Sequence, residues 1–414
     1  MNISLSILHF LILISISLVV SRIFSLIGNR YFGFPAVIGE LITGMIIGPY
    51  ALGSIPFLGF TIIPQTSLGL LAPVSSEIPI PQAFYMFGQI GVIMLLFQVG
   101  LSTDLKKFII AIRSSVFIAI GESMIPFIFG FIFMLFFVRN INEALFIGVI
   151  LTASSTGITA KVLTDLNRLN SREGMAIMTS TVIVDVISIT LLTIITGMEN
   201  SSISLYSIII LILKVMLFWG ISLFIGIKLK KYIIKFFKIF RDNITLFSFI
   251  LLILFLVVSL SVWLDLTIIV GAYSFGLILS ILDEKNDLIK NTENISNFFT
   301  PIFFVSIGMM VDLRTLSTGM IISIIILLLA VLTKVLGAAF PAKLLKYNTM
   351  ESIQIGLGLL SMGEVALILA GNALLYNIIN NEIYSVAIFV TIGTTIIAPI
   401  IFARTYRKKD ISND

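Results

Sequence analysis

The sequence predicts an all-α polytopic membrane protein with about 13 transmembrane helices, and three observations carry that prediction. Of its 414 residues, 58% are hydrophobic and only 11% are charged, whereas a soluble domain carries roughly 25% charged residues. Mean hydropathy is +1.14. The apolar residues fall in long runs, not in the short alternating runs of an outer-membrane barrel. Composition therefore excludes a soluble enzyme, a disordered chain and a nucleic-acid module. There is no cysteine and a single histidine, His9, so disulfides, thiol chemistry and a histidine or cysteine metal cluster are excluded as well. The net charge of +5 reads as an orientation signal in the bilayer, not as affinity for nucleic acid.

A helix needs about 20 mostly apolar residues to cross hydrocarbon. Thirteen runs qualify, near 5–27, 33–51, 82–101, 109–137, 143–164, 174–197, 203–227, 244–264, 266–282, 296–312, 317–340, 350–376 and 383–403. The first lacks a basic leading segment and a small-residue cleavage site, so it is a span and not a signal peptide. The connection over 52–81 carries Pro56, Pro64, Pro73, Pro79 and Pro81 with no Lys or Arg, and reads as an ordered lid or a re-entrant excursion. Basic residues order the rest. With the N-terminus outside, nineteen Lys and Arg fall on the inner side, including Lys106, Lys107, Arg168, Arg172, the cluster from Lys228 to Arg241 and the tail from Arg404 to Lys409. Only Arg139 and Arg314 fall outside. That asymmetry predicts a cytoplasmic C-terminus in an inner or plasma membrane. Inner loops and tail are short, so no soluble regulatory domain is expected.

The chain also echoes itself. Gly100-Leu101-Ser102-Thr103-Asp104-Leu105 is matched by Gly308-Met309-Met310-Val311-Asp312-Leu313, on opposite membrane faces by the topology above. The same offset carries Ser154-Ser155-Thr156-Gly157 onto Met362-Gly363-Glu364-Val365. Two halves of opposite orientation, each with a polar break in an apolar helix, form the inverted-repeat pattern of secondary transporters.

An ionisable side chain at mid-span costs about 2.5–3.5 kcal/mol, so each needs a reason. Asp185 lies near the middle of the sixth run, with Thr181 and Ser188 one turn to either side. It reads either as a functional carboxylate, with Thr181 and Ser188 adding oxygen ligands on the same helix face, or as one paired with a buried cation purely for packing; function is the better reading. Lys334 either snorkels to the headgroups or pairs with Asp185 from the equivalent stretch of the other half; the pairing is the better reading. The hydroxyl run Thr152-Ala153-Ser154-Ser155-Thr156-Gly157-Ile158-Thr159 either unwinds, freeing carbonyls as ion ligands, or packs as a small-residue contact. Unwinding makes Ser154 and Gly157 break residues and Ser155 and Thr156 candidate ligands. Ser361-Met362-Gly363-Glu364 is the partner break, where Glu364 balances a dipole or pairs with a cation. Glu122, nine residues from Arg113 and so off its helix face, is either an ion-pair partner or a pathway residue. Arg113, Lys161 and Lys214 snorkel or serve structure, and His9 packs.

Together these residues resemble a known family. Phe34-Pro35-Ala36-Val37-Ile38-Gly39-Glu40-Leu41-Ile42-Thr43-Gly44 through Gly48-Pro49 resembles the opening signature of the monovalent cation:proton antiporter-2 family. Leu96-Phe97 with Gly100-Leu101, the hydroxyl run with Lys161-Val162-Leu163, and Gly271-Ala272 with Gly276-Leu277 follow in order. Phe303-Phe304 with Ile307-Gly308-Met309, Thr333-Lys334 and Gly363-Glu364-Val365-Ala366 complete the series over nearly the whole chain.

The resemblance implies a sodium/proton antiporter-like fold of two inverted repeats with crossed broken helices. Its ion-transporting core would span roughly 82–197 and 296–403, and its dimerisation scaffold roughly 1–51 and 203–282, in a homodimer. It implies that Asp185 binds Na⁺ and H⁺ in competition, that Lys334 is the core lysine, and that no cofactor is needed beyond the transported ions. Two positions depart from the pattern. Val184 stands where electrogenic sodium/proton members carry a second Asp, potassium-efflux relatives often Gln and electroneutral exchangers Asn. Met362 stands where an Arg commonly precedes Gly-Glu. Exchange of Na⁺, or Li⁺, for H⁺ is the leading expectation and K⁺/H⁺ antiport or K⁺ efflux the neighbouring one. A Na⁺-coupled organic-anion symporter is the distant alternative.

Overall fold

The computed structural model describes residues 3–411 except 33, 56–62, 64–72, 74–79, 139, 200–204, 229–234, 236–242, 265, 267, 283–284, 312–319 and 376–377. Among the described residues the chain is helical, with no β-strand. The helices are α1 Ile3–Ile27, α2 Ala36–Ile47, α3 Gln82–Ser102, α4 Leu105–Leu135 and α5 Ile141–Thr152. Next come α6 Thr156–Asp165, α7 Arg172–Glu199, α8 Leu205–Lys228, α9 Asn243–Trp263 and α10 Ile268–Leu279. The last are α11 Lys285–Met309, α12 Met320–Leu344, α13 Thr349–Gly358, α14 Gly363–Leu375 and α15 Asn381–Ile411. Each predicted run overlaps one helix or a pair of half-helices. Among the described residues, seven helical stretches are long and apolar enough to cross a membrane, and α2 and α10 are shorter apolar helices. Most of the expected lid over 52–81, most of the basic cluster before Arg241, the outer Arg139 and Arg314, and Asp312-Leu313 of the echo lie outside the described residues.

The helices owe their arrangement to the solvent that surrounds them. Leu26, Ile110, Leu256 and Leu328 are exposed apolar side chains on α1, α4, α9 and α12, a surface suited to lipid and not to water. The polar groups turn inward. Ends are closed locally: Asp104, the acidic letter of the sequence echo, is the N-cap of α4 and accepts from the Lys106 and Lys107 amides at 2.9 and 3.2 Å. Asn348 and Glu351 form a reciprocal capping box on α13, which satisfies two otherwise orphaned amides.

Packing repeats along the chain. In the first half α4 lies against α5 and α7; in the second half α12 lies against α13 and α15, and α4 and α12 pack on each other. Likewise α3 packs on α11, α10 on α3 and α2 on α11. The echoed glycines sit at the equivalent crossings of the last two pairs. A β-carbon on Gly100 would lie 2.9 Å from Gly276 Cα, and one on Gly308 would lie 2.9 Å from Gly44 Cα. These motif glycines are points where two helix backbones touch.

Candidate ion site at the crossed half-helices

Two helices break, and they break against each other. The first loses helical structure between Thr152 and Thr156, because Ala153 and Ser155 take extended conformations and the Ser155 side chain then caps α6 by accepting from the Ile158 amide. The second is interrupted between Gly358 and Gly363. The Ser155 amide donates to the Ser361 carbonyl at 2.6 Å. Ser154 Oγ donates to the Leu359 carbonyl at 2.8 Å, and Thr159 Oγ1 to the Gly358 carbonyl at 2.7 Å. Hydroxyls of the first break therefore satisfy the exposed C-terminal carbonyls of α13, a need that every helix end presents.

The breaks are narrower than the sequence suggested. Gly157 lies inside α6, and Glu364 lies in the first turn of α14, its side chain outside the described residues. Gly363 explains the second turn: its φ is +59°, and a β-carbon there would collide with the Ser155 side chain. The left-handed conformation alone costs an L-residue about 1–2 kcal/mol. Gly363→Ala is expected to lower the melting temperature by several degrees and to slow transport, since displacing Ser155 disturbs the start of α6 that faces Asp185. A melting temperature and rate equal to wild type would show that the crossing does not depend on this residue.

Charges answer the broken ends of α5 and α6. Lys334, fully buried on α12, donates from Nζ to the carbonyls of Ala153 at 2.9 Å and Leu151 at 3.3 Å, the C-terminal carbonyls of α5. Its ammonium also pairs with the carboxylate of Glu122, which is equally buried on α4. On the other side of the break, Asp185 is 4% exposed on α7 and accepts a hydrogen bond from Thr156 Oγ1, the first residue of α6, at 3.3 Å. A cation thus meets the negative end of one half-helix and a carboxylate the positive end of the next, the favourable sense in both cases.

The expected Lys334–Asp185 pair is corrected here: the acidic partner of Lys334 is Glu122. The reason is local. Helices α4 and α12 touch at Gly121 and Gly337, where a β-carbon on Gly337 would lie 3.3 Å from Glu122 Cα. This close approach puts Glu122 within reach of Lys334, whereas Asp185 faces the start of α6. Among the other sequence candidates, Thr181 is buried and returns its hydroxyl proton to the Met178 carbonyl at 2.9 Å. Ser188 shares a 3.0 Å hydroxyl contact with Thr152. Lys161 forms a 3.0 Å pair with Asp165 one turn along α6.

Glu40 was missed. It is 2% exposed on α2, has one carboxylate oxygen without a hydrogen-bond partner, and lies within electrostatic reach of Lys161 and Arg22. The signal was present, since any carboxylate within a predicted span asks for a reason.

A buried carboxylate and a buried lysine at opposite ends of a broken, crossed helix define an ion-coupled secondary transporter. The chain belongs to the sodium/hydrogen exchanger family, whose transmembrane model matches residues 13–408. It is 34% identical to a probable Na(+)/H(+) antiporter, GerT, of Bacillus cereus, over 84% of this chain and 87% of that one. It is 31% identical to a Na(+)/H(+) antiporter of Enterococcus hirae, over 98% of this chain and all of that one. The fold matches the sodium proton antiporter MjNhaP1 of Methanocaldococcus jannaschii with a TM-score of 0.72, covering 100% of this chain and 98% of that one at 16% identity. At that identity the likeness speaks for the fold alone.

Proposed function

We propose that the protein is a sodium/proton antiporter in which Asp185 holds either Na⁺ or H⁺ and never both. The observation that carries this reading is the buried Asp185 carboxylate, bonded to Thr156 at the start of α6 where two broken helices cross. A carboxylate neutralised by a proton or by a sodium ion is uncharged in either loaded state. An empty, negative site is costly to move through a low-dielectric barrier. Competition for one carboxylate therefore couples the two fluxes. Lys334 stays outside that competition because it has its own counter-charge in Glu122. With one titrating carboxylate, exchange is one Na⁺ for one H⁺.

The larger frame belongs to the same proposal. Thirteen crossings run from an outer N-terminus to a cytoplasmic C-terminus in the cell membrane. A core over 82–197 and 296–403 rocks against a scaffold over 1–51 and 203–282, through which two copies of the chain associate. Proteoliposomes loaded with a pH-sensitive dye test the activity, with Na⁺, Li⁺ and K⁺ added in turn under a clamped membrane potential. Dequenching by Na⁺ or Li⁺ that is indifferent to potential is expected. Potential-dependent exchange would contradict the one-for-one scheme, and a response led by K⁺ would move the protein to potassium exchange.

A further inference from the structure

Away from the ion site, a cavity of about 760 Å³ opens between the first turns of α4, the start of α7 and the end of α12. Three cations line it: Lys107, Arg113 and Arg172. Arg172 is anchored, stacking on the Tyr347 ring at 4.1 Å and pairing with Glu351 at 3.6 Å. Lys107 reaches the Asn170 carbonyl at 3.2 Å. Arg113 is different. It lies about two turns inside α4, and no acidic side chain among the described residues pairs with it. None of the residues that line the cavity is acidic, and Glu351 pairs only with Arg172 among its three cations, so the lining is net basic.

Its outward rim is apolar: Ile110 is 78% and Phe117 57% exposed. An occupant therefore has to offer negative charge to the cations and hydrocarbon to the outer rim. We propose that the cavity is a binding site for an anionic phospholipid, its phosphate held by Arg113 and Lys107 and its acyl chains lying along Ile110 and Phe117. Basic pockets between transmembrane helices on the cytoplasmic side are suited to such headgroups. The site lies on α4, which carries Glu122, and on the turn after α12, which carries Lys334, so the lipid braces the pair of helices that frame the ion site.

The purified full chain in mild detergent tests this by its melting temperature. Phosphatidylglycerol is added against phosphatidylcholine and against inorganic phosphate at equal concentration. Phosphatidylglycerol is expected to raise the melting temperature by several degrees, and neither of the others to do so. Arg113→Gln and Lys107→Gln are each expected to lose at least half of that rise. Lys290→Gln, at an exposed position on α11 outside the cavity, should keep it. An undiminished rise in both cavity variants overturns the proposal, as does an equal loss in Lys290→Gln, which would reduce the effect to overall charge. A rise with inorganic phosphate matching that with phosphatidylglycerol replaces the lipid by a free anion and overturns it too. Should Arg113→Gln fail to fold, Lys107→Gln, at the exposed end of the site, decides alone.

Discussion

Asp185→Asn is expected to reduce cation-driven proton movement to that of empty liposomes while leaving a folded protein in the membrane. The two halves of that expectation have separate causes. Asn retains the shape of the side chain and a carbonyl oxygen that can accept from Thr156 Oγ1, as the Asp carboxylate does at 3.3 Å. The native structure should lose little beyond the attraction between a carboxylate and the positive end of α6, about 0.3–1 kcal/mol. The amide, however, neither binds a proton in the physiological range nor supplies a negative charge for Na⁺. Both substrates lose the same ligand. Dye-based exchange and the Na⁺-dependent shift in melting temperature should therefore vanish together, with the sodium-free melting temperature nearly unchanged. Wild-type exchange in this variant would remove Asp185 from the mechanism. Loss of exchange with an intact Na⁺-dependent shift would place the cation elsewhere and leave Asp185 as a proton site only.

Much of this arrangement was legible because a membrane exaggerates the signals that matter. Helical runs stand out when every backbone group must be satisfied within its own segment, and a mid-span charge such as Asp185 or Lys334 is conspicuous because it is costly. The paired breaks were also legible, since hydroxyls at Ser154 and Thr159 and the glycine at Gly363 are poor filler for an apolar span. What sequence could not supply was the pairing of charges across helices. Sequence pairs Lys334 with Asp185 as mid-span charges of opposite halves, but it does not say which helices cross nearest. Gly121 and Gly337 settle that by letting α4 and α12 approach backbone to backbone. Glu122 then lies closest to the lysine, on α4, the helix that packs as the counterpart of α12. The exact limits of each break were equally hidden: they depend on where a single side chain, Ser155, closes the next helix. Glu40 is the opposite case, a visible charge read as a motif letter and not as a cost.

The Glu122–Lys334 pair carries the second large effect. Both side chains are fully buried, and removing one partner of a buried pair costs about 3–5 kcal/mol because the other charge is stranded. Glu122→Gln leaves the ammonium without a counter-charge, its acceptors now the neutral amide oxygen and the Leu151 and Ala153 carbonyls. Lys334→Met strands a carboxylate and two C-terminal carbonyls of α5 as well, so it is expected to be the more damaging of the two. The double variant Glu122→Gln with Lys334→Met removes both charges and should be less destabilised than the sum of the single changes, a coupling readable in melting temperatures as a double-mutant cycle. The same variant separates two accounts of transport. If Lys334 is part of a neutral, stationary frame, the double variant that folds still exchanges one Na⁺ for one H⁺ and remains indifferent to membrane potential, at a lower rate. If Lys334 releases a proton in each cycle, wild-type exchange responds to potential and the double variant does not. Since Lys334 already has a dedicated carboxylate and lies across the break from Asp185, the first outcome is the expected one. A wild type that responds to potential, with a double variant that does not, would make Lys334 a carrier of charge in its own right.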